Sequence, residues 1–254
     1  MRILITGAAV RIGAAIAKTL AADRHEIIIH YHRSETAAAA LAHEIGQSGG
    51  SAHCVAANLA DRAAVEALLP NVCAQFGRPD VLINNASSFV YDNFPDFDDK
   101  AWDFHIHPNL EAPVFLARDF VRLAREQGAS TGAIINMLDH KIHALNPDFF
   151  TYSVAKLGHA AATRMMAQAC AGGPIRVNGI APGITLISGR QSEAGFARAF
   201  AAPPLGRSST PAEIAQTVRY ILATPSLNGE ILVLDGGESL VQRGRDVAYA
   251  LSPL

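Results

Sequence analysis

The sequence predicts an α/β protein: a Rossmann-like, doubly wound sheet of seven mostly parallel strands with helices on both faces, in three α/β/α layers. Two observations carry this. Short apolar runs of strand length alternate with longer stretches of helical period, which is the signature of successive βαβ units. No connection is a Pro, Gly or Ser linker long enough to divide the chain. A length of 254 residues suits one such domain or two small ones. The pattern decides for a single dinucleotide-binding and catalytic domain over 1–254, with 238–254 a tail.

The strand runs, in order, are Ile3 to Thr6, Ile27 to Tyr31, Ala52 to Ala56, Val81 to Ile83, Ala133 to Met137, Arg176 to Ile180 and Ile231 to Leu234. Each is a short, nearly continuous apolar run, as strands covered on both faces require. Between them lie helical stretches at Ile12 to Ala22, Thr36 to Gln47, Arg62 to Phe76, Trp102 to Gln127, Tyr152 to Ala171 and Pro211 to Leu222. Their alanines, Ala37 to Ala40 among them, suit close packing of helix on sheet. Ligands on such a sheet sit beyond the carboxyl ends of the strands, so chemistry is sought at residues 7–13, 32–34, 84–91, 138–152 and 181–208.

Composition excludes several classes. Lys and Arg total 21 against 23 Asp and Glu, for a net charge of -2, with no basic stripe for nucleic acid. No run reaches the roughly 18 to 20 apolar residues of a membrane span, and Met1 leads straight into the first strand without a secretory pattern. Cys54, Cys73 and Cys170 are odd in number and far apart, so they read as reduced, buried packing residues of a cytoplasmic protein. The ten histidines form no metal-ligand cluster, and no metal is expected.

After the first strand, Thr6-Gly7-Ala8-Ala9-Val10-Arg11-Ile12-Gly13 opens a helix. Gly7 allows the tight turn and Gly13 the close approach of helix to strand, which leaves backbone N–H groups for a pyrophosphate. The second strand ends in His30-Tyr31-His32-Arg33-Ser34, without the acid that would bind a free ribose 2′-OH. Arg33, Ser34 and His32 suit a 2′-phosphate instead, so the cofactor is read as NADP(H). Tyr152 and Lys156, four residues apart, share one helix face. The lysine and a cationic nicotinamide are expected to lower the phenol's pKa by roughly two to three units toward neutrality.

These features together resemble the short-chain dehydrogenase/reductase family, from Ile3 to the closing Asp235-Gly236-Gly237, nearly the whole chain. The resemblance implies that Asn58, before Leu59, contacts adenine, that Asn84-Asn85-Ala86 lies along the cofactor, and that Pro182-Gly183 passes the nicotinamide end. It makes Asn109 a catalytic residue holding a water that connects to Lys156, and implies a homotetramer formed through the helices at Trp102 to Gln127 and Tyr152 to Ala171 and the last strand. Two departures stand out. Arg11 replaces a glycine, adding a guanidinium near the cofactor phosphates. Asp139 stands where most members have the serine that binds a substrate carbonyl, and a carboxylate there repels a developing oxyanion.

Thr6 to Gly13, His30 to Ser34, Asn84 to Phe89 and Ile135 to Asp139 together resemble one branch, the pteridine reductases. The branch implies a pterin or folate-like substrate between nicotinamide and Phe89, with Ser87 and Arg11 near both pterin and cofactor phosphate. Asp139 would relay a proton to ring N5, directly or through a water, while Tyr152 binds the other side and donates when the 7,8 bond is reduced. Structural readings stand beside these: Phe89 as a core anchor of its loop, Asp139 as a turn cap. The alternatives are a broad-specificity carbonyl or 3-oxoacyl-thioester reductase and a non-catalytic NADP-binding regulator. The loop Ile184 to Leu205, with its Gly and Pro residues, is expected to cover the substrate and to be mobile. The end, Val247 to Leu251, is apolar enough to pack on this subunit or a neighbour.

Overall fold

The computed structural model describes residues 1–189 and 191–250. Strands β1 (Arg2–Ile5), β2 (Glu26–Tyr31), β3 (Ser51–Ala56), β4 (Val81–Asn84), β5 (Gly132–Met137), β6 (Ile175–Pro182) and β7 (Ile231–Leu234) form one sheet in the order β3-β2-β1-β4-β5-β6-β7. Every neighbouring pair is parallel, and each strand lies within two residues of its expected run. The pleat fixes the register. β1 sets Ile3, Leu4 and Ile5 beside Ile27, Ile28 and Ile29 on one side and Val81, Leu82 and Ile83 on the other. Ile3, Ile5, Ile27, Ile29 and Ile83 face one layer, whereas Leu4, Ile28, Leu82 and Ile134 face the opposite one. A slip of one residue would exchange the two sets.

The first layer is α1 (Arg11–Ala22), α2 (Glu35–Gln47) and α8 (Pro211–Ala223), which bury Ile16, Leu20, Leu41, Ile45, Ile214 and Val218. The second is α3 (Arg62–Phe76), α5 (Ala112–Glu126) and α6 (Phe150–Ala169), which bury Val65, Leu68, Val72, Leu116, Phe120 and Ala167. Burying each such large side chain stabilises the fold by about 1.5–3 kcal/mol relative to exposure. Local signals agree: α8 begins with a capping box between Thr210 and Glu213 and a proline in its first turn.

The structure corrects three expectations. The helix expected over Trp102 to Gln127 is α4 (Asp99–Ile106), a π-helical turn at His107–Glu111, and α5. Pro108 cannot donate to the α-helical ladder, so the widened turn forms there and Asn109 within it is buried. The segment Ile184 to Leu205, read from the sequence as a loop, contains α7 (Glu193–Ala201), capped by Ser192 Oγ, which accepts from Gly195 N–H at 3.1 Å. Of the three free cysteines only Cys170 is buried; Cys54 lies on the edge strand β3 and, like Cys73 on α3, is half-buried. Among the described residues, no helix is long and apolar enough to cross a membrane.

The tail folds back on its own chain through a 3₁₀ turn (Glu238–Leu240) and α9 (Val247–Ala250). Val247 is buried, and Tyr249 lies edge-on to Tyr91 with ring centroids 5.2 Å apart. Leu251 lies outside the described residues.

Candidate active site

The carboxyl ends of the strands open onto a cavity of about 730 Å³, within the range of pockets that hold small ligands. Gly7, Arg11, Ile12, Gly13, His32, Arg33, Ser34, Asn58, Leu59, Asn85, Ala86, Ser87, Phe89, Asp139, Tyr152, Lys156, Pro182 and Gly183 all line it. Of the residues expected here, Asn109 and Asn84 are not on its wall; Asn84 Nδ2 instead donates to Asn136 Oδ1 at 2.9 Å.

At one end the β1–α1 turn is bare backbone. Gly7 has φ +61, and a Cβ on it would lie 2.9 Å from Ala86 Cα; one on Gly13 would lie 2.5 Å from the Gly7 carbonyl oxygen. Side chains are excluded by contact, which keeps the N-terminus of α1 and its unpaired N–H groups approachable by an anion. Thr6 Oγ accepts from Asn85 and Ala86 N–H at 2.9 and 3.0 Å, and Asn85 Nδ2 donates to the Thr6 and Gly7 carbonyls at 2.9 and 3.1 Å. The turn and the loop after β4 are therefore one unit. His30, which sequence reasoning passed over as a site residue, completes it: Gly7 N–H donates to Nδ1 at 3.0 Å, and Nε2 reaches the Ala57 carbonyl at 3.2 Å. Burial lowers its pKa to about 4, so the ring is neutral with Nε2 the donor.

Arg11 holds the left-handed φ of 57 where the family pattern has glycine. Its guanidinium donates to the Ile187 carbonyl at 2.9 Å, so it ties down the segment after β6, whereas the sequence aimed it at cofactor phosphate. Glu35 is the first residue of α2, leaving His32, Arg33 and Ser34 on the cavity wall without an acid after β2. Asn58 Oδ1 accepts from Ala60 N–H at 3.1 Å in a local turn, so part of its capacity toward adenine is spent.

At the other end Tyr152 donates to Asp139 Oδ2 at 2.8 Å. Asp139 Oδ1 accepts from Lys141 N–H at 2.9 Å, capping the 3₁₀ turn His140–Ile142. The carboxylate thus serves as cap with one oxygen and as tyrosine partner with the other. His140 Nδ1 lies 3.1 Å from Oδ1, an ion-pair distance without hydrogen-bond alignment. Burial alone would raise the pKa of Asp139, but His140, the Lys141 N–H and the Lys141 charge outweigh it and hold the carboxyl at about 2.

The expected lowering of the tyrosine pKa is reversed. Burial, and then the Asp139 carboxylate, raise it well above 10, so Tyr152 is a neutral hydroxyl. The Lys156 ammonium stands 5.6 Å from the phenol ring centroid and donates to the Met137 carbonyl at 2.9 Å; burial lowers its pKa to about 8. Asn109 is buried and does not line the cavity. Both ends of its amide bind the Ser88 backbone, accepting from N–H at 3.1 Å and donating to the carbonyl at 2.9 Å, so it positions the loop that carries Ser87 and Phe89. Phe89 stacks on Phe149 at 4.3 Å and meets Tyr152 edge-on at 4.7 Å.

Lys141, Phe149, Asp246 and Val247 also line the cavity and were not expected. The tail's apolar pattern was the only sequence signal for Val247, and Asp246 had none.

A short chain dehydrogenase family profile matches residues 1–195. Two solved structures are close in shape. The FolM alternative dihydrofolate reductase 1 of Brucella canis, complexed with NADP, superposes with a TM-score of 0.90 at 38% identity, covering 95% of each chain. The Brucella suis protein of the same description, also with NADP, gives 0.90 and 38%, covering 95% of this chain and 96% of that one. A 3-oxoacyl-[acyl-carrier-protein] reductase of Synechocystis sp. is 31% identical over 237 residues, 92% of this chain and 95% of that protein. With its fold, its glycine turn and these relatives in agreement, the chain belongs to the short-chain dehydrogenase family.

Proposed function

We propose that the protein is an NADPH-dependent reductase of a dihydropterin-type substrate. The observation that carries the reading is the Tyr152–Asp139 pair: an ionised carboxylate, not a neutral donor, faces the reacting end of the cavity. The bare turn at Gly7 and Gly13 fits a pyrophosphate, and Arg33, Ser34 and His32 fit a 2′-phosphate. NADPH, when bound, supplies the hydride. The two Brucella relatives, solved with NADP, support both cofactor and substrate class.

Reduction of the C6=N5 bond of a 7,8-dihydropterin needs two electrons as hydride at C6 and one proton at N5. Asp139 favours the protonated nitrogen, because an anion beside it lowers the energy of the cation that forms. With a pKa of about 2, Asp139 does not carry the proton itself near neutral pH; it holds the water that delivers it. Tyr152 keeps its hydroxyl proton and fixes Asp139 by hydrogen bond, while Lys156 offsets negative charge in a buried site. Phe89 offers a ring for a flat heterocycle to stack on, with Asn109 holding its loop.

The Synechocystis relative favours a second reading, reduction of a 3-oxoacyl thioester. Asp139 opposes it, since an oxyanion formed there would meet a carboxylate instead of a donor. Steady-state NADPH consumption with 7,8-dihydrobiopterin, dihydrofolate and an acetoacetyl thioester separates the two. Turnover of the pteridines with at least tenfold higher kcat/KM, roughly 1.4 kcal/mol in transition-state stabilisation, is expected; turnover confined to the thioester overturns the proposal.

A further inference from the structure

The cavity has one wall that the reaction above does not use. Asp246 and Val247, from the returning tail, form it in the same cavity that Asp139, Tyr152 and Phe89 line. Resting on the proposed reaction, we propose that Asp246, through its ion pair with Lys141, determines specificity: this wall admits a flat ring with a polar rim and turns away an aliphatic acyl chain.

Ion pairs and ring contacts, not sheet hydrogen bonds, hold this wall in place. Lys141 Nζ lies 2.6 Å from Asp246 Oδ2, with the two side chains only 4% and 13% accessible, and also donates to Asn146 Oδ1 at 3.2 Å. One residue earlier, the Arg245 guanidinium grips Asp148 through two nitrogens at 2.7 and 2.8 Å, and Asp246 N–H donates to Asp148 Oδ2 at 2.8 Å. Asp148 accepts from Tyr91 as well, at 3.2 Å. Tyr249 packs on Tyr91 and Phe149, and Phe149 stacks on Phe89.

The anchors also reach the reacting end. Lys141, which pairs with Asp246 through its ammonium, holds Asp139 Oδ1 through its backbone N–H. The Asp139 turn and the tail are therefore one mechanical unit.

An ion pair in a cavity wall has given up most of its water, so what is seated against it must supply hydrogen bonds in exchange. A ring whose rim carries N–H donors and carbonyl or ring-nitrogen acceptors does so. A methylene chain does not, and is rejected by the desolvation it leaves uncompensated.

The test uses full-length Asp246→Ala, the shape-conserving Asp246→Asn, and Arg245→Ala, each with 7,8-dihydrobiopterin and with acetoacetyl-CoA at saturating NADPH. The Asp246 variants are expected to raise KM for the dihydropterin about tenfold and to raise kcat/KM for the thioester, so that the ratio of the two specificity constants falls about 30-fold or more. Arg245→Ala moves the ratio the same way by less. The Kd for NADPH stays within about threefold. An unmoved ratio in all three variants overturns the inference. So does a parallel fall in NADPH affinity, thermal stability and both activities, which marks the tail as mere scaffolding. The two readings fail separately: the proposed reaction fails on native enzyme that does not turn over dihydropterin, and the wall fails on variants of an enzyme that does.

Discussion

Asp139→Asn probes the group on which the choice of chemistry turns. The carboxylate accepts from Tyr152 at 2.8 Å and from Lys141 N–H at 2.9 Å, and its surroundings hold its pKa at about 2 against a usual 3.8. At about 1.4 kcal/mol per pH unit, that preference for the anion is about 2–3 kcal/mol. It is present above pH 3.8 and lost as the pH falls through 2. An asparagine forfeits it but keeps both contacts, its Oδ1 accepting from the Lys141 N–H and its NH₂ donating to the Tyr152 hydroxyl, which turns to accept. In a chain of this size each kcal/mol lowers Tm by roughly 2–4 °C, so a drop of about 4–12 °C is expected by differential scanning fluorimetry. Dihydropterin kcat/KM should fall about 100-fold, the low end for a lost proton-transfer group. Asp139→Ser supplies the informative companion: a neutral hydroxyl donor where the charge stood should raise thioester reduction relative to dihydropterin reduction. A folded Asp139→Asn enzyme with full dihydropterin turnover, together with an unchanged substrate ratio in Asp139→Ser, would refute the reasoning.

Further outcomes follow from the same geometry. Arg33→Ala should weaken NADPH about 10- to 100-fold in fluorescence titration and leave NADH nearly unchanged, since only the former has a 2′-phosphate to lose; equal losses would count against that assignment. Burial puts Lys156 at about 8, so kcat/KM should decline above pH 8 as its cation is lost, and Lys156→Arg should carry that limb out of range. Native His30 and His159 are neutral, lowered by burial to about 4 and about 3, while the unfolded chain takes up protons below 6.5. Stability should therefore fall from pH 6.5 toward 4, by about 3 kcal/mol for His30 alone, and chemical denaturation across that window reads it. His159→Leu removes a buried titrating ring and should flatten part of this dependence.

The seven strands were legible because a sheet covered on both faces writes itself as apolar runs, and the Gly7–Gly13 turn because only glycine clears the backbone there. Three features were harder to read. Pro108 looked compatible with a helix starting at Trp102, but its effect on the ladder, and the inward turn of Asn109, depend on what packs around the π turn. The ionisation of Tyr152 depends on its burial and on a through-space distance to a residue thirteen positions away, and the sequence pointed to lysine while burial, and then the carboxylate, decided the sign. Asp246 and Lys141 are separated by 105 positions, and nothing local marks either as part of a cavity.

The most direct measurement follows the hydride. With NADPH deuterated on the nicotinamide C4 and 7,8-dihydrobiopterin as substrate, mass spectrometry and NMR of the product should find one deuterium, at C6 of a tetrahydropterin. A native enzyme that leaves the pteridine unlabelled but delivers deuterium to C3 of acetoacetyl-CoA would contradict it.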